Sequence, residues 1–131
     1  MNNRFKFRVW DKLAERMIYP HNDNQQHFII DLNGRFHNLQ NGSGGDDYVI
    51  QQYTGLTDSN DDAIYEGDIL KNHYDVGNNI IGQVLYESDH GGYIFQWKRK
   101  GRGQDYKNLN CDVAFESVIV GNKFEHSELL N

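Results

Sequence analysis

A chain of 131 residues can hold one core of ordinary size, or a small barrel with an extension, and is too short for two full domains. Hydrophobic residues make up only 37%, yet aromatics reach 13%, and thirteen glycines stand against one proline; large rings and φ-tolerant turns suit strands rather than long helices. The net charge of −6 comes from residues 51–131, where seven Lys/Arg face thirteen Asp/Glu, while residues 1–50 balance six against six, so the average field repels a phosphate backbone and general duplex binding is disfavoured.

Cys111 is the single cysteine. It excludes an internal disulfide and every Cys-rich zinc pattern, and its expected role is a small buried side chain. The amino terminus, MNNRFKFRVWDK, lacks the apolar core of a signal peptide, and no stretch reaches membrane-spanning length. The expectation is a cytoplasmic protein with no membrane partner.

In chain order, Arg4 to Trp10 alternates polar and apolar residues, placing Phe5, Phe7 and Val9 on one face of a half-buried strand and three cations on the other. Asp11 to Arg16 reads as a loop or helical turn, and Met17-Ile18-Tyr19 as a short return strand closed by Pro20. His27 to Asp31 and Arg35 to Leu39 flank Asn33-Gly34, the dipeptide that best marks a tight hairpin. Gln40 to Asp47 offers no side chain to anchor a core and is expected to be a lobe boundary or mobile loop. Beyond it, Tyr48–Thr54, Asp68–His73, Ile80–Glu87, Tyr93–Lys98 and Ser117–Phe124 read as short strands, with Asp75–Asn79, Ser88–Gly92 and Gly101–Asp105 as turns between them. The tail from Glu125 to Leu130 reads as one helical turn that sets two leucines on the core. The predicted fold is mainly β with little helix: an amino-terminal β extension of hairpins over 1–47, then a small antiparallel barrel over 48–131.

Phe7-Arg8-Val9-Trp10-Asp11 followed by Met17-Ile18-Tyr19, then Gln52-Tyr53-Thr54-Gly55-Leu56 with Asp58 and Asn60, then Ile64-Tyr65-Glu66-Gly67-Asp68-Ile69, and finally Val118-Ile119-Val120-Gly121-Asn122 with Leu129-Leu130, together resemble the YopX family of phage and prophage proteins. The resemblance implies an amino-terminal β extension joined to an SH3-type barrel, and it carries over no catalytic residue, cofactor or partner. One departure stands out. The Asn-Gly turn expected after Asp58 reads Asn60-Asp61 here; aspartate can occupy a left-handed position at some cost, so the turn is expected to survive with altered geometry.

The acidic stretch of Asp58, Asp61, Asp62, Glu66 and Asp68 can be tested as a calcium loop. Asn60 and Asp62 match the third and fifth positions, but Ala63 and Ile69 occupy the places of the required glycine and glutamate, which rejects an EF-hand. Glu66 and Asp68 could form an acid and base pair on one strand face, yet Gly67 between them is expected to bend the backbone. The simpler reading is a structural corner in which Asp68 bonds nearby amides and Tyr65 covers the barrel end. The basic run Lys98, Arg99, Lys100 and Arg102 is either a solvated hairpin tip or a phosphate contact, with Tyr93, Phe95 and Trp97 as stacking rings. Six scattered histidines form no metal-site pair in sequence, although His27 and His37 could face each other across the Asn33-Gly34 hairpin.

These residues point to no catalytic, cofactor or metal site. The expected function is a non-enzymatic protein-binding module that self-associates into a homo-oligomer and also meets an unknown protein partner, with the acidic 58–68 corner and the basic 98–102 tip as contact surfaces. The alternatives are a binder of single-stranded nucleic acid through the basic tip and, more weakly, a divalent-metal-dependent hydrolase.

Overall fold

The computed structural model describes residues 5–19, 28–75, 78–99, 101 and 103–131, and the fold is mainly β. The chain divides into two compact units, one spanning Phe5–Gln52 and the other including Tyr53–Asn131.

In the first unit, β1 (Phe7–Asp11) lies between β2 (Arg16–Ile18) and the opening half of β5 (Tyr48–Thr57), antiparallel to both. The register sets Val9 opposite Ile18 and Ile50, so the period-two apolar positions meet. Val9, Ile18 and Phe36 form the buried core of this unit, with Phe28, Ile30, Tyr48 and Ile50 packed around it. The opposite face of β1 departs from expectation. Arg8 is only 2% exposed, its Nε donating to Gln51 Oε1 at 2.8 Å and its Nη1 to the Tyr19 hydroxyl at 3.3 Å. Polar side chains that satisfy its donors let a guanidinium stay inside. The hairpin turn is held by Asp11, whose Oδ1 accepts from the Leu13 and Ala14 amides.

Strands β3 (Phe28–Ile30) and β4 (Phe36–Asn38) pair around Asn33-Gly34 as the dipeptide predicts. Gly34 takes φ +79° and its amide donates to the Asp31 carbonyl at 2.9 Å. The register sets His37 opposite Ile29; His27, its expected partner across the hairpin, lies outside the described residues. The glycine-rich stretch after β4 is tied down rather than free. Asn38 N–H donates to Ser43 O, Gly42 N–H to Asn38 O, and the Ser43 and Tyr48 hydroxyls lie 2.8 Å apart. An apolar groove of about 320 Å³ opens in this unit between Phe5, Phe7, Phe28, Ile29 and Phe36.

The second unit contains the rest of β5, which pairs with β6 (Ala63–Tyr65), and a curled five-stranded antiparallel half-barrel. Its strands are β7 (Asp68–Asp75), β8 (Asn78–Glu87), β9 (Gly92–Lys98), β10 (Gln104–Asn108) and β11 (Ser117–Asn122), in the spatial order β10-β9-β8-β7-β11. Ile64, Leu70, Val84, Phe95, Val113 and Ala114 make its core. Val84 and Phe95 face each other across β8 and β9, which is the alternation read from the sequence. Between β10 and β11 sits a short helix, α1 (Cys111–Phe115), started by Asn110, whose side chain accepts from Val113 N at 2.9 Å. The helix turns Val113 and Ala114 inward, and that phase leaves Cys111 exposed, against the expectation of burial. The terminal turn, Ser127–Leu130, is a 3-10 helix with both leucines partly buried. Among the described residues, no helix is long and apolar enough to cross a membrane.

Candidate functional site

The acidic corner is organised by Asp58, only 4% exposed. Its Oδ1 accepts from the Asn60 and Asp62 amides, both at 2.9 Å, and its Oδ2 accepts from Ile119 N–H on β11, also at 2.9 Å. Ser59 N–H adds a bond to Ser117 O at 2.9 Å. One carboxylate therefore closes its own turn and fastens that turn to the outer side of β11. Asp61 occupies the left-handed region at φ +65°, its amide donating to Asp58 O at 3.0 Å. Aspartate tolerates this geometry better than most residues, whereas a β-branched side chain does not. Asp61→Val is expected to lower stability by about 1–2 kcal/mol, read as a shift in the urea midpoint.

Asp68, 2% exposed, accepts from Tyr65 N at 2.7 Å through Oδ2. Gly67 takes φ +87° and turns the chain between Glu66 and Asp68. Glu66 instead lies near Tyr93, where burial first and the Glu66 charge second hold the phenol above its ordinary value of 10.0. Asp58 and Asp68 thus bind backbone amides, the Glu66 charge acts on the Tyr93 phenol, and Asp61 and Asp62 are exposed. Among the described residues, no three His, Cys, Asp or Glu side chains gather closely enough to hold a metal ion.

At the basic tip, Lys98 and Arg99 are exposed, and Arg99 Nε lies 3.6 Å from Asp105 Oδ2. Lys100 and Arg102 lie outside the described residues. Of the three rings considered for stacking, Phe95 is 1% exposed inside the core, and Tyr93 and Trp97 pack against that core. The alternating rings build the sheet's inner face.

His37 Nε2 lies 2.9 Å from Asp31 Oδ2. That hydrogen bond first, and the Arg35 amide second, hold the Asp31 carboxyl below its ordinary value of 3.8. A depressed folded value means that the carboxylate favours the hairpin fully above pH 3.8 and that this support fades as pH falls through the lowered value. NMR titration should show the Asp31 midpoint rising toward 3.8 in His37→Ala. An unmoved midpoint would assign the shift to the backbone amides alone.

The two edges of the half-barrel differ. On β11 the turn at residues 58–62 takes up outward groups, Ile119 N–H and Ser117 O. On β10 the ladder leaves them open. Leu109 N–H donates to Tyr93 O at 3.0 Å and Arg99 N–H to Gly103 O at 2.7 Å. Bonded pairs alternate along an antiparallel ladder, so Asp105 and Lys107 exchange bonds with β9, while the main-chain groups of Gln104, Tyr106 and Asn108 point away from the sheet. Tyr106 N–H is accepted by the neighbouring Asp105 Oδ1 at 3.0 Å. Among the described residues, no strand pairs with this side of β10. Tyr106 is 47% exposed, and its ring packs against His90 at 5.0 Å between centroids, tilted by 58°.

This edge escapes sequence reading because Gln-Asp-Tyr-Lys-Asn has a single apolar-bodied residue and several of the types depleted in strands. Gly101–Asp105 read as a turn, whereas the turn ends sooner and β10 begins at Gln104. The usable signal is the pair of positive-φ glycines, Gly101 and Gly103, directly after an aromatic strand, which sends the chain back alongside β9.

The family profile described as YopX protein matches residues 6–131. None of the curated proteins matches the chain. Among solved structures, the chain is similar to the crystal structure of protein EF1440 from Enterococcus faecalis, with 22% identity and a TM-score of 0.57 over 96% of this chain and 97% of that one; the likeness is one of fold.

Proposed function

Starting from a chain that belongs to the YopX family, we propose that it is a non-enzymatic protein-binding and self-associating module of a phage or prophage, built on an SH3-type barrel and working in the host cytoplasm. The open side of β10 carries the reading. Main-chain donors and acceptors at Gln104, Tyr106 and Asn108 can take an added strand from another protein, and such pairing needs no catalytic group. The acidic carboxylates support the same view, since Asp58 and Asp68 hold the fold's own amides.

Tyr106→Pro tests it. Proline removes the outward N–H of Tyr106 without disturbing the β9 ladder, and an edge strand accommodates it on that side. Wild type and variant, matched for folding by circular dichroism, would be immobilised and exposed to infected-host lysate. The variant is expected to lose the proteins that wild type retains, and equal retention by both would overturn the reading.

A further inference from the structure

We infer that the strand added to β10 is β10 of a second copy, paired antiparallel about a two-fold axis through Tyr106. This deepens the module reading and rests on it.

The inference comes from the order of five residues and the phase of their hydrogen bonds. A two-fold axis at Tyr106 sets Tyr106 against itself, Gln104 against Asn108 and Asp105 against Lys107, each mixed pair occurring twice. Tyr106, Gln104 and Asn108 are the positions whose main-chain groups point outward, so the pairs that must exchange hydrogen bonds can do so. About six main-chain bonds would form. An axis one residue away would bring together groups already bonded to β9.

The charges agree with the same register. Asp105 and Lys107 fall at non-bonded pairs of the new ladder, where opposed side chains come closest. Each aspartate would meet a lysine, twice over, on one face of the joined sheet. On the other face the two exposed Tyr106 rings would lie side by side, each already backed by His90. The Asp105 Oδ1 bond to Tyr106 N–H is replaced by a main-chain acceptor from the partner, which turns Oδ1 to the lysine while Oδ2 keeps Arg99 at 3.6 Å.

Sedimentation equilibrium on the full chain tests this through a charge exchange. Asp105→Lys alone sets lysine against lysine twice, and Lys107→Asp alone sets aspartate against aspartate twice. Each should weaken the dimer by about tenfold at low salt. The double exchange restores opposite charges at both pairs and should recover wild-type association. Circular dichroism on all four proteins separates lost pairing from lost folding. A wild type that stays monomeric at millimolar concentration overturns the inference, as does a dimer indifferent to either single change. In both cases the module reading still stands if Tyr106→Pro loses its lysate partners, and it falls with the inference if that variant retains them.

Discussion

Gly82→Ala is expected to cost about 3 kcal/mol of folding stability, a large effect for a single methyl group. Gly82 pairs with Leu70 on β7 and Trp97 on β9, in the middle of the five-stranded sheet. A Cβ there would collide with the Gln96 carbonyl oxygen and sit 2.9 Å from both the Gln96 carbonyl carbon and Phe95 Cε1. The obstacle is main chain from the next strand, so relief requires β8 and β9 to separate locally. Gly82 has no left-handed φ; space, not conformation, demands glycine. Gly121 offers a comparison, since a Cβ there would meet Cγ, Nδ1 and Cβ of His126; the ring can turn after losing its bond from Asn122 N–H, and the contact with Cβ is relieved by a shift of the terminal segment rather than by parting two central strands. Urea denaturation of both variants should give a much lower midpoint for Gly82→Ala at an unchanged slope. Equal midpoints would show that β8 and β9 part easily.

Asp58→Ala should cost about 3 kcal/mol, through the loss of three amide partners to one buried carboxylate. Asp58→Asn separates the two jobs of that side chain. An asparagine oxygen can still accept from the Asn60 and Asp62 amides, but its NH2 group then faces Ile119 N–H, donor against donor. About half the loss is therefore expected, confined to the bond onto β11, and hydrogen exchange at Ile119 should speed in both variants while Asn60 and Asp62 amides are exposed only in Asp58→Ala. An asparagine variant as stable as wild type would mean that the turn does not depend on its bond to β11.

What the sequence disclosed was local. Asn33-Gly34 placed a hairpin because the turn requirement is satisfied within the dipeptide, and Tyr93, Phe95 and Trp97 announced a sheet face by period two. Asn60-Asp61 announced a turn of altered geometry because only local φ was at issue, and the structure gives Asp61 a φ of +65°. Long-range facts stayed hidden. Asp58 finds Ile119 across 61 residues, and no pattern near either residue refers to the other. Arg8 read as a surface cation because the Gln51 that accepts from it lies 43 residues on. Cys111 was misjudged for a different reason: a five-residue helix is too short to show a period, and its phase decides which side faces out. The candidate edge was the least legible of all, since openness describes what the rest of the chain leaves undone and no residue encodes it.

The sealing of β11 by the turn at Asp58 also bears on how far association can run. A sheet with two bare margins adds neighbours without limit, which is how soluble β proteins pass into fibres. In the half-barrel one margin is occupied from within the same chain, so among the described residues this sheet offers a single place for strand addition, at β10. The pairing proposed at β10 would use up that place on both partners, and growth of this sheet would stop at two. Weakening Asp58 would then do more than loosen a turn: it would turn a self-terminating contact into a propagating one.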